Sequence, residues 1–355
     1  MEKKFKKIGI LTSGGDSPAM NAAVKSVTCS AISRGVEVVG IIGGYAGLIN
    51  EDIRPLTKKD VMGIVSLGGT MLLSARCTEF KEEAGMQKAI ATCKKYGIDG
   101  IVAIGGDGTF RGATDLSVRG IPCIGLPGTI DNDITATDYT IGYDTAMNTV
   151  LAVGDRLRDT CYSHSRCCVI EVMGRDAGYI AVESALALNA IGVFCSEVPT
   201  DKKDLYARMI DAKEQGENSF IVVVAEGLGA EFGEKLVKEI EENTGVEARF
   251  VRPAHIVRGG IPTLRDRNLA SMMGDKAVDL LLDGKSDVVI CSRHDAIVAT
   301  DIKYALILDR MYKNKLKDGD LDNFTKEQID EMKAICEERR TYFKNICDVI
   351  NTIGC

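Results

Sequence analysis

Proline is scarce, with seven in 355 residues, and no stretch rich in Pro, Ser or Gly separates one half of the chain from the other. Composition therefore marks no domain boundary, although 355 residues exceed what one hydrophobic core usually serves and so predict two domains. Long apolar runs are also missing: no window reaches the roughly 18 apolar residues of a membrane span. The basic opening MEKKFKKIGILTSGGD has only about five apolar residues before its glycines, fewer than a secretory signal needs. Excess positive charge is absent, and a formal net charge of −7 leaves no global field to gather nucleic acid or anionic lipid. There is no internal repeat or low-complexity tract. The twelve cysteines come with neither a secretion signal nor a paired CxxC signature. They read as reduced thiols of a cytoplasmic protein rather than a disulfide framework, and the Cys161–Cys168 run does not read as a metal cluster.

What is abundant is glycine: 37 residues, gathered in short clusters beside apolar runs. Those runs are IGILT (8–12), VEVVGII (36–42), GIVAI (100–104), PCIGL (122–126), CCVIEVM (167–173) and FIVVVA (220–225). Continuous apolar strands of this kind suit a parallel sheet covered on both faces. Helical patterns lie between them at 18–33, 83–96, 143–160, 176–189, 202–214, 231–244 and 267–282. The alternation predicts an α/β fold class with two wound α/β domains. A terminal helix should follow Thr325, which with Gln328 forms a capping box, and Ile329, Met332, Ile335, Phe343 and Ile346 give it one buried stripe. In wound sheets ligands bind beyond the carboxyl ends of the strands, so the residues just after each strand are the ones to search.

Three such segments carry chemistry. After IGILT comes Ser13-Gly14-Gly15-Asp16-Ser17-Pro18, whose glycines let backbone approach a ligand and whose proline suits a first helical turn, which together predict a phosphate cradle. After GIVAI comes Gly105-Gly106-Asp107-Gly108-Thr109, with backbone donors for an oligophosphate, a carboxylate for Mg²⁺ and a helix expected from Phe110. After PCIGL comes Pro127-Gly128-Thr129-Ile130-Asp131-Asn132-Asp133. If this segment is extended, Asp131 and Asp133 share a face, one able to take a proton from a hydroxyl and the other to help hold metal. A cationic set completes the inventory: Arg76, Arg166, Arg175, Arg249, Arg252, His255 and Arg258, with guanidinium forks suited to phosphate.

In order, LTSGGDSPAMN (11–21), SAR (74–76), IGGDGT (104–109), PGTIDND (127–133), MGRDAG (173–178), AEG (225–227) and HIVRGG (255–260) closely resemble the bacterial-type phosphofructokinase family, over roughly residues 7–310. The resemblance implies a glycolytic kinase, a transferase that moves the ATP γ-phosphoryl group to the 1-hydroxyl of fructose 6-phosphate. It implies that Gly15, Tyr45, Arg76, Cys77, Gly106, Gly108 and Thr109 surround ATP and that Asp107 binds Mg²⁺. Asp131 would be the general base, Thr129 and Asp133 its supports, and Arg175 the stabiliser of the phosphoryl group in transfer. Ile130, Met173, Gly174 and Glu226 would line the sugar, and Arg166, Arg249, His255 and Arg258 would bind its phosphate and nearby hydroxyls.

The resemblance also implies a homotetramer in which Arg166 and Arg249 reach across a subunit interface, with an ATP-binding domain of 1–142 plus 256–300 and a sugar-binding domain of 143–255 plus the tail 301–355. Pyrophosphate-using relatives generally carry a bulkier acidic residue where Gly108 stands and lysine where Gly128 stands, so both glycines favour ATP. Lys81, where arginine is common, keeps a charge near the phosphates without the fork. The family's effector-binding pattern is degraded: Arg158 is kept, but Lys25, Cys29, Ile191, Glu217 and Asn218 depart from it, which implies weak or absent regulation by ADP or phosphoenolpyruvate. A NAD or lipid kinase sharing GGDGT should lack the arginine set and PGTIDND, and a non-catalytic regulatory subunit need not keep Asp107, Asp131 and Arg175 together.

Overall fold

A computed structural model describes residues 5–354, and the chain divides into two compact units. Unit 1 comprises residues up to Ile130, then Ile134–Thr145 and Arg258–Met332. It holds β1 (Lys7–Ser13), α1 (Met20–Ser33), β2 (Glu37–Ile41), α2 (Tyr45–Ile49), β3 (Ile53–Leu56), α3 (Glu83–Tyr96), β4 (Gly100–Gly105), α4 (Asp107–Ser117) and β5 (Cys123–Pro127). The chain returns to it with α9 (Leu264–Leu282), β10 (Val288–Arg293), β11 (Ala296–Asp301) and α10 (Ile302–Tyr312). The seven strands pair in the order β11-β10-β5-β4-β1-β2-β3. The five central ones are parallel, and the edges β3 and β11 run antiparallel to their neighbours. The apolar runs account for this, because β4 and β5 are buried along their whole length and only a sheet covered on both faces buries strands so completely. On one face α1 and α9 meet through Ala22, Ala23 and Val27 on one side and Met273, Ala277 and Val278 on the other. Gly274 permits this approach, since a Cβ there would sit 2.7 Å from the Ser26 Cβ.

Unit 2 comprises Asp131–Asp133, Ala146–Val257 and the residues from Lys333 onward. It contains most of α5 (Tyr143–His164), then β6 (Arg166–Val172), α6 (Tyr179–Ala187), β7 (Gly192–Phe194), α7 (Lys202–Glu214), β8 (Phe220–Ala225), α8 (Phe232–Thr244) and β9 (Glu247–Val251). Its four strands are all parallel, in the order β7-β8-β6-β9. Phe220, Val222 and Val224 of β8 pack with Leu205, Met209, Leu236 and Ile240 of α7 and α8. The terminal helix α11 (Lys326–Ile353) begins at the expected capping box, where the Thr325 N–H donates to Gln328 Oε1 at 2.9 Å and the Gln328 N–H to Thr325 Oγ1 at 3.3 Å. Its stripe Met332, Ile335, Cys336, Phe343, Cys347 and Ile350 is buried, with the Phe343 ring 4.5 Å from that of Tyr179 on α6.

Four expectations need correction. Residues 301–332 group with unit 1 rather than with the second domain, because the β10–β11 hairpin extends the seven-stranded sheet and α10 follows it directly. Pro18 lies before α1 rather than in its first turn, since Ala19 adopts φ 69° and the helix starts at Met20. Helix α4 begins at Asp107, three residues before Phe110. Cys161 and Cys168 are bonded as a disulfide, with their Cα atoms 6.6 Å apart, so the expectation of reduced thiols fails at this pair; the other described cysteines form no disulfide.

Candidate active site

In unit 1, Ser13 of β1 lies opposite Gly105 of β4, and Gly105 lies opposite Pro127 of β5. This register brings the three strand ends, and the loops that leave them, side by side. Gly14 turns the first loop with φ +90°. Its carbonyl accepts from Ser74 Oγ at 2.7 Å, which ties the segment holding Arg76 to the same place. Arg76 itself is exposed and makes no hydrogen bond or ion pair among the described residues. Gly15 meets Arg258: a Cβ there would lie 2.7 Å from Nη1, and that nitrogen donates to the Asp16 carbonyl at 3.0 Å.

Gly105 is fixed by packing, since a Cβ would fall 2.3 Å from both the Ser13 carbonyl oxygen and Thr109 Oγ1. Thr109 Oγ1 donates to that same carbonyl at 3.1 Å. Asp107 is the first residue of α4, so its carboxylate stands beside the helix's unpaired N–H groups, and Arg111 one turn on pairs with it at 2.5 Å. At Gly108, by contrast, a Cβ would meet nothing within 4 Å, so packing does not demand the glycine. Gly128 is crowded, with Ile104 Cγ2 at 3.0 Å and Met20 Cε at 3.1 Å from a built Cβ, and has no room for a long side chain without rearrangement. Tyr45 is buried against Phe80, ring centroids 4.1 Å apart, and donates to the Thr109 carbonyl at 2.6 Å, so it braces the start of α4. Cys77 is half-buried.

Unit 2 assembles a second constellation. Asp131 is 1% exposed, and its Oδ2 lies 3.2 Å from Arg175 Nε. The Asp131–Asp133 segment is not extended as expected, because Asn132 takes φ 51°; the alternation that would put both acids on one face is broken there, and Asp131 is buried while Asp133 is only half so. Upstream, the Thr129 carbonyl accepts from Thr140 Oγ1 at 2.6 Å, and Ile130 is fully buried. The Arg175 loop leaves the end of β6 in an unusual conformation, with Gly174 at φ +145° and Arg175 itself at φ +53°. Left-handed backbone at a non-glycine residue costs energy and persists only where the surroundings hold it. Here Glu226, just past β8, does so: its Oε1 accepts from the Gly174 N–H at 3.1 Å and the Arg175 N–H at 2.7 Å. Gly227 lets the two strand ends close up, since a Cβ there would sit 2.4 Å from the Arg175 carbonyl oxygen.

Beside this loop lies a small open cavity lined by Glu171, Val172, Met173, Glu226, Arg252, Ala254 and His255. Met173 and Glu226, from the set expected at the sugar, and His255, from the set expected at its phosphate and nearby hydroxyls, line it together. Arg166 and Arg249 are elsewhere: Arg166 lies opposite Glu247 in the β6–β9 register and Arg249 two residues further along β9, and both pair with Glu247, Arg166 at 3.0 Å. Arg258 belongs to unit 1 at Gly15. Arg252 was read from sequence only as one of the cationic set, and its partner Glu171 was not singled out; the signal available was an acid inside an otherwise apolar central strand.

Comparison with known proteins follows this geometry. A family model described as phosphofructokinase matches residues 7–281. The chain belongs to the phosphofructokinase family. Among curated relatives, ATP-dependent 6-phosphofructokinase 1 of Clostridium perfringens is 47% identical over 312 residues, covering 88% of this chain and 97% of that protein. ATP-dependent 6-phosphofructokinase of Halalkalibacterium halodurans is 50% identical over 315 residues, covering 87% and 98%. Among solved structures, phosphofructokinase from Saccharomyces cerevisiae superposes with a TM-score of 0.82 at 30% identity over 89% of this chain and 47% of that one. A pyrophosphate-dependent phosphofructokinase from Marinobacter aquaeolei shares the fold, with a TM-score of 0.73 at 21% identity over 84% of this chain. Among the described residues no cluster of three or more His, Cys, Asp or Glu could hold a metal by itself, and no helix is long and apolar enough to cross a membrane. A phosphofructokinase Mg²⁺ site fits a single carboxylate at Asp107, because Mg²⁺ commonly takes one or two carboxylates and completes its shell with substrate phosphates and water.

Proposed function

We infer that this chain is an ATP-dependent 6-phosphofructokinase: it transfers the γ-phosphoryl group of ATP to the 1-hydroxyl of fructose 6-phosphate, giving fructose 1,6-bisphosphate and ADP in glycolysis. The observation that carries the chemistry is the buried Asp131 carboxylate ion-paired to an Arg175 whose backbone Glu226 holds in a strained conformation. Asp131 takes the proton of the attacking hydroxyl, with Thr129 and Asp133 supporting sugar and metal. Arg175 stays close to the charge that develops on the transferring group, in a reaction that depends on position and electrostatics. Asp107 would hold Mg²⁺, which would supply positive charge to neutralise the phosphates. The backbone at Gly15, Gly106 and Gly108, with Thr109, Arg76 and Cys77, receives the nucleotide, and Tyr45 serves it from behind by bracing α4. Met173, Gly174, Glu226 and His255 receive the sugar.

The open space at Gly108 and the crowding at Gly128 support ATP over pyrophosphate, since an acidic side chain at the first would fill the open space and a lysine at the second would not fit. A homotetramer in the cytoplasm is part of this reading. Its support is that Arg166 and Arg249 gather on Glu247 of an edge strand, separate from the cavity of their own chain, as residues serving a neighbouring subunit would. Regulation by ADP or phosphoenolpyruvate is weak: the effector-binding pattern is lost at Lys25, Cys29, Ile191, Glu217 and Asn218, and the retained Arg158 donates to the Leu188 carbonyl. A coupled assay of the purified protein on fructose 6-phosphate, with ATP, GTP and pyrophosphate in parallel, tests the reading. Turnover with ATP and none with pyrophosphate is expected; the reverse would overturn the donor assignment.

A further inference from the structure

The cavity beside the Arg175 loop contains an ion pair that the reaction as described does not use. Glu171 lies in β6, its side chain 6% exposed, and Arg252 follows the edge strand β9. The guanidinium grips the carboxylate at two points, Nε to Oε1 at 2.5 Å and Nη2 to Oε2 at 3.1 Å. Nη2 also donates to the Ala230 carbonyl at 2.8 Å, and the Phe250 ring centroid lies 5.1 Å from Cζ. Four contacts therefore fix the plane of one arginine, which removes most of the side-chain entropy that binding a ligand would otherwise cost. Nη1 makes no hydrogen bond among the described residues, and Arg252, partly exposed, lines the cavity together with Glu226 and His255.

The charges decide what such a donor reads. Glu171 cancels Arg252 and Glu226 adds a further carboxylate, so acidic groups outnumber guanidinium groups in the lining. That disfavours a phosphate dianion and suits hydroxyl groups, which can accept from Nη1 and donate to a carboxylate. We propose that Arg252, locked in place by Glu171, is a specificity-determining residue that reads the hydroxyl pattern of the sugar-phosphate acceptor rather than its phosphate. The inference rests on the acceptor reading of this cavity given above.

The test compares wild type, Arg252→Met, and the double variant Glu171→Gln/Arg252→Gln, which leaves no uncompensated buried charge if the single variant folds poorly. Each is assayed with fructose 6-phosphate and with its C4 epimer, and each is titrated with inorganic phosphate as inhibitor. Losing one charged hydrogen bond to a hydroxyl should lower kcat/KM for fructose 6-phosphate about 10- to 100-fold and narrow the preference over the epimer similarly. The KM for ATP and the inhibition by phosphate should stay within about twofold in both variants, because neither passes through this hydrogen bond. An unchanged epimer ratio, a double variant restored to wild-type kcat/KM, or phosphate inhibition weakened in parallel would each overturn the role of Arg252. A wild-type chain that does not phosphorylate fructose 6-phosphate would instead overturn the acceptor reading itself.

Discussion

Glu226 Oε1 accepts the backbone N–H of Arg175 at 2.7 Å, so a carboxylate at the end of one strand sets the backbone of the guanidinium at the end of another. The same oxygen holds the Gly174 N–H, and the loop it fixes carries the partner of Asp131. Glu226→Ala should therefore lower kcat by about 10- to 100-fold, the usual penalty for misplacing a catalytic group by an ångström. Glu226→Gln, whose amide oxygen can still accept both bonds, should retain most of the turnover. Equal losses in the two variants, read by steady-state kinetics at saturating ATP, would show that the carboxylate's charge matters rather than its clamp.

Two glycines of one loop should respond oppositely. Gly105→Ala drives a Cβ into the Ser13 carbonyl and Thr109, and overpacking of this kind destabilises by about 1–3 kcal/mol. Gly108→Ala meets open space inside α4 and should leave Tm unchanged or raised, while Gly108→Asp should fold normally and raise the KM for ATP. Thermal melts and ATP titrations separate the three.

Asp266 is fully buried and accepts from the Gly142 N–H at 2.9 Å, the Thr145 N–H at 2.8 Å and Thr145 Oγ1 at 2.5 Å. Desolvation outweighs these bonds and pushes its carboxyl up from 3.8 to about 6. The folded state thus binds the proton more tightly than the unfolded chain. The stability this confers is fully present below pH 4 and is lost as pH rises through 6, by about 3 kcal/mol in total. Urea unfolding of wild type and Asp266→Asn from pH 4 to pH 7 should show the difference between them drifting against the wild type with rising pH and levelling off above 6. A difference that is flat across this range would contradict the assignment.

The terminal helix is expected to be a structural part of unit 2. Phe343 is fully buried against Tyr179, and Arg208 Nη2 reaches Asn351 Oδ1 at 3.1 Å. Phe343→Ala should cost about 3–5 kcal/mol of stability. With Arg158 engaged by the Leu188 carbonyl and the basic pattern lost at Glu217 and Asn218, ADP and phosphoenolpyruvate added at millimolar concentration should leave the fructose 6-phosphate curve unaltered.

The glycine loops at the strand ends were legible because their glycines directly follow apolar runs, and a parallel sheet aligns such strand ends in register. The division into units left no trace in composition, because the chain changes units at short polar or helical segments around residues 130–134, 145, 257 and 332 rather than at a linker. The hairpin strands β10 (VVICSR) and β11 (AIVATD) were missed because the apolar run of each is only four residues long, and no residue of β11 is fully buried. The left-handed turn at Asn132 defeated the argument from alternation, which holds only for extended backbone. The Glu171–Arg252 pair joins residues 81 positions apart, and only the tertiary neighbourhood of β6 and β9 brings it into one cavity.

Asp131→Asn tests the central claim most directly, since the amide keeps the shape of the carboxylate beside Arg175 but cannot accept the hydroxyl proton. Measured with fructose 6-phosphate and ATP both saturating, kcat should fall about 10²- to 10⁴-fold while Tm and the KM for ATP hold. Turnover within a few-fold of wild type would remove Asp131 from the proton transfer and contradict the account.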